Sequence, residues 1–198
     1  MCYTKEQIEE TVKSKGYVWF NSAKDYDVNI VGIRNSSKGN KVTNVFDDCL
    51  TISYKQNGEW KSHCWAATTE PGKKGMQKGK ARGGVAILVP GQYRGVYAIS
   101  KHQGKYDAVC QRLGNVTVWR DPNKDLIFDT TKTDTGMFGI NIHKAGTDST
   151  WVENWSEGCQ VFKRVKDFNE FMSICKAARK SGWDNKFTYT LLDSKDIK

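Results

Sequence analysis

Residues 49–65, CLTISYKQNGEWKSHCW, constrain the fold more than any other stretch of the chain. Leu50, Ile52 and Tyr54 alternate with polar residues, the period-two pattern that puts apolar side chains on one face of a strand. Asn57-Gly58 follows, a pair suited to the positive φ angles of a two-residue turn, and Trp60 begins the return. The segment reads as a β-hairpin.

Further strand patterns surround it. YVWF (17–20), DVNIVGI (27–33), NVTVWR (115–120) and FTYTLL (187–192) are rich in β-branched and aromatic residues. GVAILVPGQ (84–92) and YRGVYAIS (93–100) read as two more strands, joined near Pro90-Gly91. Helix signals are few. Residues 4–15 carry Thr4 as N-cap, Gln7 as the third-position partner of a capping box, Ile8 and Val12 as one apolar stripe, and Gly16 as the stop. Residues 167–180 place Phe168, Phe171, Met172 and Cys175 on one face, with Gly182 as the stop. The expectation is one domain over 1–198, mainly β (α+β), with peripheral helices and a short N-terminal helix as an appendage. There is no internal repeat or linker.

Charge narrows the partners. The chain carries 31 basic against 22 acidic residues, a formal net charge of +9, which suits an anionic partner: nucleic acid, anionic lipid or an acidic cell-wall polymer. A nucleic-acid binder would need a recognition motif, and none of the RNP, KH, helix-turn-helix or zinc-finger type is present. Six cysteines (Cys2, Cys49, Cys64, Cys110, Cys159, Cys175) have no CxxC spacing, so neither a zinc site nor any other cofactor is expected. The start, MCYTKEQIEE, has no apolar signal-peptide core, and no apolar run reaches the ~20 residues of a membrane span. These features predict synthesis in the cytoplasm with mostly reduced thiols. Residues 70–84, EPGKKGMQKGKARGG, hold five glycines and five basic residues. They read as a mobile cationic loop with no helix following, solvated or, as a lid, touching an anionic substrate through Arg82.

The residues with most chemical content lie between Gly139 and Phe162, GINIHKAGTDSTWVENWSEGCQVF. Phe138, Ile140 and Ile142 alternate with Gly139, Asn141 and His143, so a strand would put Asn141 and His143 on one face. A polar loop edged by Trp151 and Trp155 leads to Ser156-Glu157-Gly158-Cys159, and Gln160-Val161-Phe162 begins a second strand. Such a strand–loop–strand brings its ends together, within reach of an imidazole–thiol hydrogen bond. The imidazole would take the thiol proton and store it for the leaving group, Gly158 would permit a sharp turn, and N–H groups near Cys159 would face a developing oxyanion. The alternative is a buried thiol acting as a small hydrophobe.

The spacing IH…SxGC resembles the catalytic motif of the L,D-transpeptidase family, in which a histidine precedes a Ser/Thr-His-Gly-Cys segment. The longer pattern, from AATTEPG (66–72) through VPGQYRGVY (89–97) to NIH and WSEGCQV, is similar to the version of that domain carried by bacteriophages. The resemblance implies an L,D-transpeptidase-like β-sandwich or barrel with peripheral helices, with Cys159 as nucleophile, His143 as its base, Ser156 as the motif hydroxyl and Gly158 as the residue shaping the turn. Glu157 stands where that family has a second histidine. Glu157, Gln160, Trp155, His102 and Arg82 are the expected substrate contacts.

The function so implied is a peptidoglycan-active cysteine enzyme, a peptidase or transpeptidase working through a thioester on wall stem peptides. As a phage product it would be made in the host cytoplasm and act at the wall, as a virion component beside other phage proteins or as a released lysis protein. The alternative is a catalytically silent structural or wall-binding protein of the same fold. His102 reads otherwise as an exposed loop residue, and His63 as structural. Asp121, Asn123, Asp125 and Asp129 resemble part of a calcium loop, but Leu126 and Lys132 stand where that loop needs glycine and glutamate, and a turn is the simpler account.

Overall fold

The computed structural model describes residues 3–79 and 83–198. In chain order its elements are α1 (Lys5–Ser14), β1 (Asn29–Arg34), β2 (Asp48–Gln56), β3 (Glu59–Thr68), α2 (Lys73–Lys78), β4 (Val85–Leu88) and β5 (Gly91–His102). They continue with β6 (Tyr106–Gln111), β7 (Val116–Asp121), β8 (Thr133–Gly136), β9 (Ile142–Lys144), β10 (Gln160–Phe162), α3 (Val165–Lys180) and β11 (Phe187–Asp193).

Eight strands close into a barrel in the order β1-β11-β5-β6-β9-β10-β3-β2, and β4-β7-β8 form a second, three-stranded sheet. The fold is mainly β with three helices among the described residues, as the strand patterns predict. The β2–β3 hairpin keeps register from Asp48↔Ala67 to Gln56↔Glu59. Asn57 and Gly58 at its tip have φ of 53° and 78°, both left-handed, which matches the handedness of the turn to the twist of the strands. Two barrel contacts are parallel, β1 with β11 and β9 with β10. Closure between β6 and β9 rests on the single pair Val109↔Ile142.

α1 has the expected cap: Thr4 Oγ1 accepts from the Gln7 N–H at 3.2 Å, and the Gln7 side chain accepts from the Thr4 N–H at 3.1 Å. Its buried Ile8 and Val12 pack in one cluster with Trp19, Val31 and Leu192. α3 lays Phe168 and Phe171 against Phe162, with ring centroids 5.8 and 5.1 Å apart, and buries Met172 and Cys175 beside them. Burial of each such side chain is worth roughly 1.5–3 kcal/mol, which ties the helix to the strand that follows Cys159. Among the described residues no helix is long and apolar enough to cross a membrane.

Two local expectations fail. YVWF (17–20) forms no strand. Its backbone groups are satisfied by side-chain amides instead: Gln92 brackets the N–H and C=O of Val18, and Asn29 those of Phe20. The two strands joined near Pro90-Gly91 form as expected and go to different sheets. β4 joins β7 in the small sheet, while β5 enters the barrel. Residues 73–78 are helical, with Gly75 and Met76 buried, whereas the glycine-rich composition predicts a mobile loop. Met76 packs with Val85, Ile87 and Phe128, and a Cβ on Gly75 would overlap the Ser156 carbonyl oxygen, so that glycine serves close approach. Arg82 lies outside the described residues. The Asp121–Asp129 segment is a run of side-chain-capped turns: Asn123 caps the Asp125 N–H, Asp125 that of Ile127, and Asp121 that of Asp129.

Candidate active site

β9 and β10 run parallel, with Val161 opposite His143, and the Gln160 N–H donates to the Asn141 carbonyl at 2.9 Å. Strand alternation then sends Asn141, His143, Cys159 and Val161 to one face. Ile142 and Gln160 go to the other, toward the barrel core. Cys159 stands diagonally across from His143 on this shared face. The same face continues over β6 and β5, because Tyr106 pairs with His102 and Val109 with Ile142.

Ser156 and Gly158 build the turn that delivers the thiol. The Ser156 hydroxyl donates to the Cys159 carbonyl at 2.8 Å and accepts from the Gly158 N–H at 3.1 Å. Gly158 has φ 133°, and a Cβ there would collide with the Ala86 carbonyl oxygen of β4. The turn is therefore wedged between the barrel and the small sheet, where only glycine fits.

The Cys159 thiol accepts from the Asn141 N–H at 3.4 Å and donates to the Gly139 carbonyl at 3.4 Å. Burial pushes it up to about 11, with Cys110 and Glu157 adding to the rise and the Asn141 N–H opposing it. His143 is held down to about 3, chiefly by burial and then by neighbouring His102, against the Lys144 carbonyl that accepts from its Nδ1 at 2.8 Å. A carbonyl only accepts, so Nδ1 carries the proton and Nε2 the lone pair. At neutral pH the thiol and the imidazole both rest neutral in one cleft, and among the described residues the sulfur bonds to Gly139 and Asn141 rather than to the imidazole that the sequence places within its reach. Two groups in these states hold no standing thiolate, and chemistry at the sulfur would need its proton removed as the attack occurs.

Cys159 and His143 line one cleft of about 860 Å³, together with His102, Asn141, Trp155 and Glu157. Lys105 and Lys144 also border it, so the cations at its edge outnumber the Glu157 carboxylate. His102 is not an exposed loop residue. At 7% exposure it ends β5, and its ring stacks on that of His143 with centroids 4.0 Å apart and planes 21° apart. Gln160 lies outside the cleft: its Oε1 accepts from the Tyr189 hydroxyl at 2.8 Å inside the barrel, and its Nε2 donates to the Gly158 carbonyl at 3.1 Å. It holds the turn from behind. A second cavity, about 530 Å³, lies between Tyr26, Arg94, Trp183 and Lys186 and contains no cysteine or histidine.

Sequence reasoning misses Gln111. Its Oε1 accepts from the N–H groups of Phe138 and Ile140, its Nε2 donates to the carbonyls of Gly114 and Gly136, and its N–H donates to Asn141 Oδ1. One buried side chain thus fixes the whole approach to β9. Nothing around YDAVCQ signals this role, because all its partners but Gly114 lie about thirty residues downstream.

Among the described residues, the acidic groups close enough to share a cation are Asp47, Asp48 and Glu70. The Lys38 ammonium already contacts all three, which makes the cluster an ion-pair network. Comparisons with protein-family models, with curated proteins and with solved structures find no match to this chain.

Proposed function

We propose that the chain is a cysteine acyl-transfer enzyme acting on peptidoglycan stem peptides, with Cys159 as nucleophile and His143 as general base. The observation that carries this reading is the shared cleft, in which a half-buried thiol and an imidazole with a free Nε2 lone pair lie on one sheet face. The resemblance of the IH…SxGC pattern to L,D-transpeptidases supplies the substrate class. The cationic edge formed by Lys105 and Lys144 suits carboxylate-bearing peptides and acidic wall polymers.

In this mechanism the Cys159 sulfur attacks a stem-peptide carbonyl carbon while its proton passes to His143 Nε2. The carbonyl π electrons move to oxygen. Collapse of that oxyanion breaks the C–N bond, and the amine leaves with the proton from His143, giving a thioester. An incoming amine then yields a cross-link, or water yields hydrolysis, and the thiol is restored. Action at the wall would follow, from a phage-encoded protein within the virion or released for lysis.

The thiol's contacts with Gly139 and Asn141 favour a second reading, a silent wall-binding protein, since they occupy the sulfur without the imidazole. Digestion of purified peptidoglycan separates the two. New muropeptides or acceptor adducts with the native protein, absent with Cys159→Ala and His143→Ala, support the enzyme. Identical profiles from all three proteins, across several wall types, favour the binder.

A further inference from the structure

Two stacked imidazoles share the cleft, and their hydrogen bonds place their protons on opposite nitrogens. The Gln111 backbone N–H donates to Asn141 Oδ1 at 3.0 Å, and since an N–H cannot accept, the orientation of the Asn141 amide is fixed. Its other end, the Nδ2 amine, therefore meets His102 Nδ1 at 3.1 Å. An amide NH₂ only donates, so His102 Nδ1 holds the lone pair and Nε2 the proton. His143 is the reverse, with its proton on Nδ1 facing the Lys144 carbonyl. Among the described residues neither Nε2 has a protein partner in the hydrogen-bond network. The cleft thus contains one histidine with an uncommitted lone pair and one with an uncommitted N–H.

We propose that His102 is a second catalytic histidine, whose Nε2–H donates to the substrate carbonyl oxygen as negative charge develops there. This rests on the acyl-transfer reading of the cleft and divides the work between the two rings. When Cys159 Sγ bonds to the acyl carbon, the thiol proton goes to His143 Nε2 and the carbonyl π pair to oxygen, which His102 Nε2–H stabilises. On collapse the pair returns to the C–O bond, the C–N bond breaks, and the amine takes the proton held by His143. His102 donates a hydrogen bond throughout and transfers no proton. The clamp of Gln111 on Asn141 is what keeps the His102 proton on Nε2, so both act as positioning residues for this donor.

The test contrasts two reactions of the same thiol. Acylation by p-nitrophenyl acetate passes through an oxyanion, whereas alkylation by iodoacetamide displaces iodide and forms none. His102→Phe keeps a ring to stack on His143 but removes the N–H. It is expected to slow acylation about 10²-fold, the usual loss for one oxyanion donor, while alkylation stays within about threefold. His102→Gln, which restores an N–H, should recover acylation to within about tenfold of the native rate, against the loss expected without any donor. Equal losses in both reactions, no loss in acylation, or failure of His102→Gln to recover it would overturn the role. Nitrogen-15 NMR of the histidines in the native protein gives a reading free of any variant: a protonated Nε2 on His102 is expected, and a protonated Nδ1 would overturn the assignment. If the native protein forms no acyl adduct on Cys159, the acyl-transfer reading fails and this one falls with it. An adduct lost in Cys159→Ala but unaffected by His102→Phe sinks the His102 role alone.

Discussion

Replacing Ser156 by alanine separates a structural hydroxyl from a catalytic one. The side chain is fully buried, and its oxygen serves the Cys159 carbonyl at 2.8 Å and the Gly158 N–H at 3.1 Å. Alanine fills nearly the same space, so the cavity contribution is small and the loss is one of hydrogen bonding. Each buried backbone group left without a partner costs about 1–3 kcal/mol. With two such groups the sum is about 2–6 kcal/mol. Urea denaturation should show the midpoint falling by that equivalent with an unchanged m-value. Because the turn sets the position of the sulfur, iodoacetamide alkylation and muropeptide formation should both change. A stability loss under about 0.5 kcal/mol, within the range of neutral surface changes, together with abolished muropeptide formation would refute this reasoning and put the hydroxyl on the substrate.

Gly158→Ala should be more damaging, by about 3 kcal/mol or more, since it combines backbone strain with a collision against Ala86; thermal denaturation measures it directly. The rate of Cys159 alkylation should keep rising through pH 8–10 without a plateau, as expected for a thiol near 11, and a plateau near pH 8 would mean that the thiolate is stabilised in the resting protein. Glu70, pushed up to about 7 by burial and by Asp48 despite Lys38 and Arg34, binds its proton more tightly when folded. Its contribution to stability is therefore full below its unfolded value of 4.5 and is lost as pH rises to about 7. The stability difference between the native protein and Glu70→Gln should fall by on the order of 3 kcal/mol over that window, a change in slope that isothermal denaturation resolves. His143 acts in the opposite sense, costing stability as pH falls from 6.5 toward about 3, but equally in both proteins, so it cancels in the difference.

Local periodicity and turn chemistry were enough to read the β2–β3 hairpin, the α1 capping box and the buried face of α3. In each case the interactions that decide the structure lie within a few residues, or between neighbouring strands joined by a tight turn. The side of β9 that holds Asn141 and His143 follows from alternation for the same reason. What could not be read depends on partners remote in sequence. YVWF has strand composition, but Gln92 and Asn29 satisfy its backbone. Lys73–Lys78 has loop composition, but Met76 finds an apolar pocket and Gly75 a neighbouring carbonyl. Gln160 is adjacent to Cys159, yet strand parity turns it to Tyr189. His102 is 41 positions before His143, and only the β5–β6–β9 register brings the two rings together.

The single-pair contact between β6 and β9 has a consequence for the order in which the chain assembles. β9 and β10 are three residues each, and they join strands whose other neighbours are long antiparallel ladders. Local hairpins lose little entropy on closing, so β2–β3 and β5–β6 are expected to form early, and the short parallel seam only after both halves are in place. Cys159 comes from one side of that seam and His143 from the other. Cys159 and His143 therefore come together only in a chain that has completed its barrel, and amide exchange should be faster at Gln160 and Ala145 than at Ile52. A newly made or partly unfolded copy holds Cys159 apart from His143, so the joint action proposed for the two groups waits for the last closure of the fold.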